Sequence, residues 1–284
     1  MLFKQACQQN LLDRFEMMKL AEFWASMTKR DEMPTSFDDI IFENGQFRAT
    51  KTVHIKKKES LMYFSMLLAA LLVLTNKRLV SIFMNHYISS INNTDVYRFL
   101  PKSRRKAFLL ACGGLSGSGK SRVAREIAPF LTQPLGAVII RDDIVRKQLA
   151  GVSFDAELDK SFYTPQKENA VYKEMRRQAK QALLAGYPVI LDALFYSPAE
   201  RKKAKQLAQR LGLSFEGLWM EAPLQIRAKR VTTRKNNPSD IKSKKALTEQ
   251  LAQDVGSVNW RYVLTNGTRE ETIAKVKRLL KKYL

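Results

Sequence analysis

Apolar positions give this chain two textures. In the first third they recur mainly at helical spacing. Leu11, Leu12, Phe15, Met18, Leu20, Phe23 and Trp24 return every three or four residues, which predicts a helix within residues 1–35 that Pro34 stops. Ile40-Ile41-Phe42 and Thr52-Val53-His54-Ile55 stand around Asn44-Gly45, the pattern of a turn or short hairpin. Leu61 to Leu74 is the most apolar run and is flanked by basic residues. It falls short of the roughly 20 residues that a membrane span needs, so a buried or partner-facing helix is expected and no membrane span. Leu79, Ile82, Phe83, Tyr87, Ile88 and Ile91 predict a further helix over 78–97. The basic, proline-led stretch Pro101 to Lys106 then marks a boundary between a mainly helical segment, 1–103, and a domain, 104–284.

Beyond that boundary, short unbroken apolar runs alternate with amphipathic stretches. Ala107–Cys112, Ala137–Ile140, Val189–Asp192, Phe215–Met220 and Tyr262–Leu264 read as five strands. Between them lie helical patterns: Val123, Ala124, Ile127 and Ala128; Pro165 to Ala185, with Thr164 before it and Gly186 after; and Pro198 to Leu211. Asn266-Gly267 reads as a turn, and 269–283 as a closing basic helix. Strand and helix in alternation predict an α/β fold, a parallel sheet flanked by helices.

The 284 residues carry a formal charge of +22, which attracts polyanions in general. No tract interleaves the basic residues with aromatics as a single-strand-binding surface does, so a solvated basic surface is favoured over a nucleic-acid site. Cys7 and Cys112 are far apart and offer neither a disulfide framework nor metal-ligand spacing, which suits a cytoplasmic protein. No signal peptide is apparent at the start, and His54, before three lysines, reads as a surface histidine.

The chemistry concentrates on Gly114-Leu115-Ser116-Gly117-Ser118-Gly119-Lys120-Ser121, which fits G-x-x-x-x-G-K-[ST] between an apolar strand and a helix. Glycines allow the backbone to curl so that its N–H groups face phosphate oxygens. Lys120 would reach the β- and γ-phosphates, and the Ser121 hydroxyl would complete a magnesium site. ATP and Mg2+ are therefore the expected cofactors. At the end of the second strand, Asp143 and Arg146 share one face of a helix that starts at Asp143. An Asp at such a junction also serves as a helix N-cap, so a structural role for Asp142 or Asp143 competes with a catalytic one. Asp192 closes the third strand, where a magnesium-holding acid is expected. Arg230 and Arg234, four apart on one helix face, suit a lid that neutralises transferring charge.

The segments GGLSGSGKS, IIRDDIVRKQLAG, LLAGYPVILDALFYSPAERKKAKQLA, WMEAP and RAKRVTTRKNNPSD, in this order, resemble the bacterial predicted-kinase family of small P-loop kinases. That family is often fused to an aminoglycoside-phosphotransferase-like domain, and is more distantly similar to gluconate kinase, zeta toxin, chloramphenicol phosphotransferase and polynucleotide kinase. The resemblance covers residues 107–284 and implies an adenylate-kinase-like P-loop NTPase fold that transfers the ATP γ-phosphate to a hydroxyl. It implies catalytic roles for Lys120, Asp143, Arg146, Arg230 and Arg234, with Asp143 activating the acceptor and Arg146 on the substrate side. It implies a metal role for Asp192 beside Ser121. The family often has Ser before its Asp where this chain has Asp142, which leaves open which carboxylate faces the acceptor. Residues 37–42 and 79–101 are faintly similar to the tail of the fused domain, whose His-x-Asp and Asn signature is absent here, as in a shortened remnant. The leading expectation is a small-molecule hydroxyl kinase. A 5′-hydroxyl nucleic-acid kinase and a non-catalytic ATP-binding module are the alternatives.

Overall fold

Arg14–Lys29 forms the first helix, α1, of a computed structural model that describes residues 12–34, 39–43, 46–55, 67, 71, 77–91, 96–97, 100, 106–131, 135–153, 156–233 and 254–284. Expectations that fall on Asn44-Gly45, on most of Leu61–Leu74, on Pro101–Arg105, and on Arg234 to Asp240 lie outside the described residues. Two compact units result, one of residues 1–104 with 133–136 and one of 105–132 with 137–284.

In the first unit α1 is followed by strands β1 (Glu32–Pro34), β2 (Ile40–Glu43), β3 (Gln46–Ala49) and β4 (Thr52–His54), then helix α2 (Lys77–Ile91). α1 and α2 pack together through Trp24, Phe83, Met84 and Tyr87, all buried. The Thr28 hydroxyl and the Tyr87 phenol meet at 2.9 Å in that interface. β2 pairs antiparallel with β3. The 52–55 stretch therefore does not close the hairpin with Ile40–Phe42: β4 pairs instead with β1, with Met33 opposite Val53. The shorter connection keeps β2 and β3 as immediate neighbours, and leaves the next strand free for a more distant partner.

The second unit contains β5 (Phe108–Gly113), α3 (Lys120–Ile127), β6 (Val138–Arg141), α4 (Asp142–Ala150), α5 (Pro165–Leu184), β7 (Val189–Asp192), α6 (Pro198–Arg210), β8 (Ser214–Glu221), α7 (Leu224–Thr232), β9 (Arg261–Leu264) and α8 (Arg269–Leu279). Its five strands form one parallel sheet in the order β6-β7-β5-β8-β9. Every residue of β5 is buried, as a central strand covered on both faces requires. One face presents Leu110, Cys112, Ile190, Leu218 and Val263 to Val123, Ala124 and Ile127 of α3 and to Val276 of α8. α5 and α6 pack near β7 and β8 and bury Tyr172, Met175, Ala179 and Ala204.

The helices begin where the local chemistry dictates. Thr164 caps α5 by accepting from the Lys167 N–H, with Pro165 at the first helical position. α8 opens with a reciprocal capping box between Thr268 and Glu271. The chain leaves β5 for the edge of the sheet at β6, returns through β7, and crosses to β8 and β9. The order reverses at β5, so a crevice opens beyond its carboxyl end, where ligands of open α/β sheets bind.

Candidate active site

Residues 114–119 form a tight loop between the end of β5 and the start of α3. Gly114 has φ 136°, and a Cβ there would lie 2.4 Å from the Met220 carbonyl oxygen; at Gly117, φ 81°, it would lie 2.6 Å from that of Arg227. No other residue type fits either place without displacing backbone, so the glycines keep the loop seated against β8 and α7. Lys120 and Ser121 occupy the first turn of α3, whose amino end faces the loop. The donor set fits a phosphate chain: curled backbone, helix start and a lysine together.

A brace surrounds this loop from the side of α7 and β9. Arg227 Nε donates to Ser116 O at 2.8 Å, and Arg230 Nη1 donates to Gly117 O at 3.2 Å. Arg230 Nη2 also donates to Thr265 O at 2.5 Å, and the Thr265 hydroxyl donates to Ser118 O at 2.6 Å. Burial lowers the pKa of both guanidinium groups, with Arg122 adding to the effect at Arg230. The carbonyls of Ser116, Gly117 and Ser118 thus have donors of their own, while the N–H groups of Gly114 and Ser118 donate to Leu194 O and Leu115 O, each at 3.1 Å. Arg230 sits here against the loop, and Arg234, its expected companion, is outside the described residues.

The acids lie across the crevice. α4 starts at Asp142 rather than at Asp143, with Arg141 as its N-cap residue in extended conformation. Asp142 accepts from the Asp143 N–H at 2.8 Å and from the Leu194 N–H at 3.3 Å, which ties β6 to the loop after β7. Asp143 accepts from the Ile144 N–H at 2.8 Å and from Arg141 Nη2 at 2.5 Å. Burial, and next the charge of Asp143, push the Asp142 carboxyl up to about 7, while Lys120 pulls it the other way. Asp192 is buried at the end of β7, 3.7 Å from Arg141 Nε, and its Oδ1 has no hydrogen-bond partner. An orphaned buried carboxylate oxygen beside a phosphate loop fits a hydrated magnesium ion, which needs one or two carboxylates and takes its other ligands from water and phosphate. Among the described residues no cluster of three or more His, Cys, Asp or Glu side chains forms a separate metal cage.

Arg146, one turn along α4, stands 2.5 Å from Glu168 of α5 through Nη2, donates from Nη1 to Phe162 O at 3.0 Å, and lies 4.7 Å from the centre of the Tyr163 ring. Tyr196 completes this side, its phenol pushed up by burial and by Glu168. The loop that carries it is held in place: Phe195 has φ 53°, donates its N–H to the Tyr172 hydroxyl at 2.9 Å, and packs on Trp260. A positive φ at a phenylalanine costs energy that the surrounding packing must supply. Arg201 contributes by donating to the Phe195 and Tyr196 carbonyls and to those of Val255 and Ser257.

The charges of Lys120, Asp143, Asp192 and Glu168 all act on Asp142, and that of Asp142 acts on Arg146. Sequence reasoning assigned no role to Arg141, Glu168, Tyr196, Arg201, Arg227 or Thr265. Several of them act through a partner distant in the chain, as Glu168 does with Arg146, 22 residues away. The one local signal was Arg141, standing directly before the acid pair.

Comparison with known proteins bears on this geometry. A 29% identical match over 171 residues links the chain to an uncharacterized protein of Mycobacterium tuberculosis, covering 59% of this chain and 33% of that protein. The chain thus spans about one third of the length of the curated mycobacterial relatives that it matches. The adenylyl-sulfate kinase of Myxococcus xanthus is 28% identical over 156 residues, covering 54% of this chain and 75% of that enzyme. Among solved structures, the Mycobacterium tuberculosis APS kinase CysC in complex with AMPPNP and APS superposes with a TM-score of 0.47 at 19% identity, over 64% of this chain and 99% of that one. A putative kinase from Chloroflexus aurantiacus does so with a TM-score of 0.49 at 13% identity, over 63% and 100%. Residues 109–254, just over half of the chain, match the model of the AAA domain family AAA_33, and the chain belongs to that family.

Proposed function

We propose that residues 104–284 are an ATP-dependent kinase that transfers the γ-phosphate to a hydroxyl of a small molecule. The observation that carries this reading is the half-buried Asp142 carboxylate, within reach of the charge of Lys120 at the start of α3. A nucleotide-binding module has no need of a second acid there, whereas hydroxyl activation does. The adenylyl-sulfate kinase activity of the Myxococcus xanthus relative supports the same class of reaction. Residues 1–103 are then a unit accessory to the kinase domain.

The loop N–H groups and Lys120 hold the β- and γ-phosphates, with Gly114, Leu115, Ser116, Gly117, Ser118 and Gly119 as the cradle. Ser121 and Asp192 are the residues that would hold magnesium, which when bound offsets charge on those phosphates. The acceptor oxygen attacks the γ-phosphorus as the bond from phosphorus to the β,γ-bridging oxygen breaks, leaving ADP. The hydroxyl proton passes to Asp142 Oδ2, which holds the longer of that residue's two backbone hydrogen bonds. Asp143, on which the family resemblance places this step, instead anchors Arg141 and thereby the end of β6. Arg230 keeps the loop in its receiving shape through Gly117 O, and lends charge to the bound phosphates from behind.

The test is direct. Purified 284-residue chain should release ADP from ATP only when an acceptor is present, and the product should carry the γ-phosphate as an ester. ATP binding without acceptor-dependent ADP release from a broad panel of hydroxyl compounds would leave only the binding module.

A further inference from the structure

Against the phosphate loop lies a buried positive charge that no carboxylate matches among the described residues. Arg227 is 4% exposed, and its Nη2 is buried with no hydrogen-bond partner. Its Nε donates to Ser116 O at 2.8 Å. A Cβ at Gly117 would meet backbone atoms of Arg227 at 2.6 and 2.8 Å, so residue and loop are in direct contact. Burial is what lowers the pKa of this guanidinium. Other buried arginines are matched: Arg146 by Glu168, and Arg201 by four backbone carbonyls.

An unpaired buried cation destabilises a fold, and so does a buried donor without an acceptor. The place in the helix makes this worse. Arg227 lies in the first turn of α7, which has no acidic residue, and a cation there opposes the helix dipole. In a trans peptide the C=O and N–H point in opposite directions, so the Gly117 N–H faces away from Arg227 across the loop backbone. A charged donor on Ser116 O polarises that same peptide and strengthens its N–H as a donor. An anion on the far side offsets the charge that the folded chain leaves unpaired.

We propose that Arg227 is a positioning residue for the nucleotide, acting through the Ser116–Gly117 peptide, with the phosphate chain as its counter-ion. The empty protein holds the charge unpaired, and a bound triphosphate relieves it. The inference rests on the reading that the loop takes ATP. It adds a cation that neither the loop motif nor the family resemblance assigns.

Arg227→Gln separates charge from brace. The amide nitrogen of glutamine stands as many bonds from Cα as arginine Nε does, so it keeps a donor for Ser116 O and removes the guanidinium. The full 284-residue chain and this variant are titrated with ADP and with a non-hydrolysable ATP analogue, each with magnesium, and are melted without nucleotide. The empty variant should melt at or above wild type. Its Kd for the ATP analogue should rise at least about tenfold, and its Kd for ADP by a smaller factor, because ADP brings less charge. Unchanged affinity for the analogue leaves Arg227 the brace alone and overturns the inference. Equal loss for both nucleotides overturns it too, since loop shape rather than charge is then at work. An empty variant that melts below wild type does the same. Arg227→Met, which removes charge and brace together, is the second variant. Failure of both to fold also overturns the inference, because it makes the charge a burden on the empty protein. A wild-type chain that binds neither nucleotide overturns the reading of the loop itself, a separate failure.

Discussion

Arg141 Nη2 lies 2.5 Å from Asp143 Oδ2, so the second acid of the Asp142–Asp143 pair is engaged before any acceptor arrives. Among the described residues its neighbour is bound only by backbone N–H groups, those of Asp143 and Leu194. Adjacent residues of identical chemistry thereby hold different positions in the site. Asp142→Asn should lower acceptor phosphorylation by about 10²–10⁴-fold with ATP affinity near wild type. Asp143→Asn should show its effect first in thermal stability, because it weakens an ion pair that holds the end of β6. Steady-state kinetics and melting curves on the two variants separate these roles, and the reverse ranking would return the base to Asp143.

The pH dependence follows from Asp142. Its folded-state pKa of about 7 is raised above the ordinary carboxylate value, chiefly by burial. The native state then holds this proton more tightly than the unfolded chain does. The stability contribution is complete at acid pH and is lost as pH rises toward about 7. Turnover should move the opposite way, rising through the same range as the base loses its proton. Asp142→Asn should flatten that limb of the stability profile; a profile identical to wild type would remove Asp142 as its source.

Lys120→Ala should abolish phosphoryl transfer and weaken ATP binding, since it removes the ammonium from the phosphate chain. Calorimetric titration with a non-hydrolysable ATP analogue measures the second effect. Normal turnover in this variant would take the loop out of the mechanism.

Arg230 allows a sharper distinction. As a brace, through Gly117 O and Thr265 O, its loss should raise the dissociation constant for ATP by several-fold. Thr265→Val, which removes the hydroxyl donating to Ser118 O, should do the same to a smaller degree. A pure lid arginine would instead lower kcat and leave ATP affinity unchanged. Equilibrium binding beside kcat on Arg230→Ala tells the two apart.

Arg201 is buried and serves four backbone carbonyls, two in the loop after β7 and two at 255 and 257. Arg201→Ala leaves those acceptors without a donor and should cost about 2–4 kcal/mol of stability, read from denaturant unfolding. Arg201→Lys should recover little, because one ammonium cannot span the four positions that the guanidinium fork reaches. A cost within experimental error would mean that water satisfies the carbonyls instead.

A chain truncated to begin at Ser103 is expected to fold and bind ATP, since the parallel sheet and its flanking helices lie beyond that point. Circular dichroism and nucleotide titration measure both. Insolubility of the truncated chain beside a soluble full-length one would show that the first unit covers core surface.

By itself the sequence determined those features whose signal is local. Short apolar runs such as Phe108 to Cys112, bounded by a glycine loop, read as central strands of a covered sheet, and alternation with helices makes the sheet parallel. The phosphate loop was legible because its glycines, Lys120 and Ser121 act within nine consecutive residues. Thr164-Pro165 marked the start of α5 because capping needs only neighbours. Tertiary structure decided whatever depends on partners far along the chain. Composition could not say that Thr52–His54 would pair with Glu32–Pro34, since any short strand offers the same backbone groups. Nor could it separate Asp142 from Asp143: they differ by one step of helix, and only the fold brings Leu194 to one and turns Arg141 onto the other. Glu168 gave no sign, because a first-turn glutamate is ordinary on any helix. It became part of the site when α4 and α5 packed together and set its carboxylate against Arg146, 22 residues away.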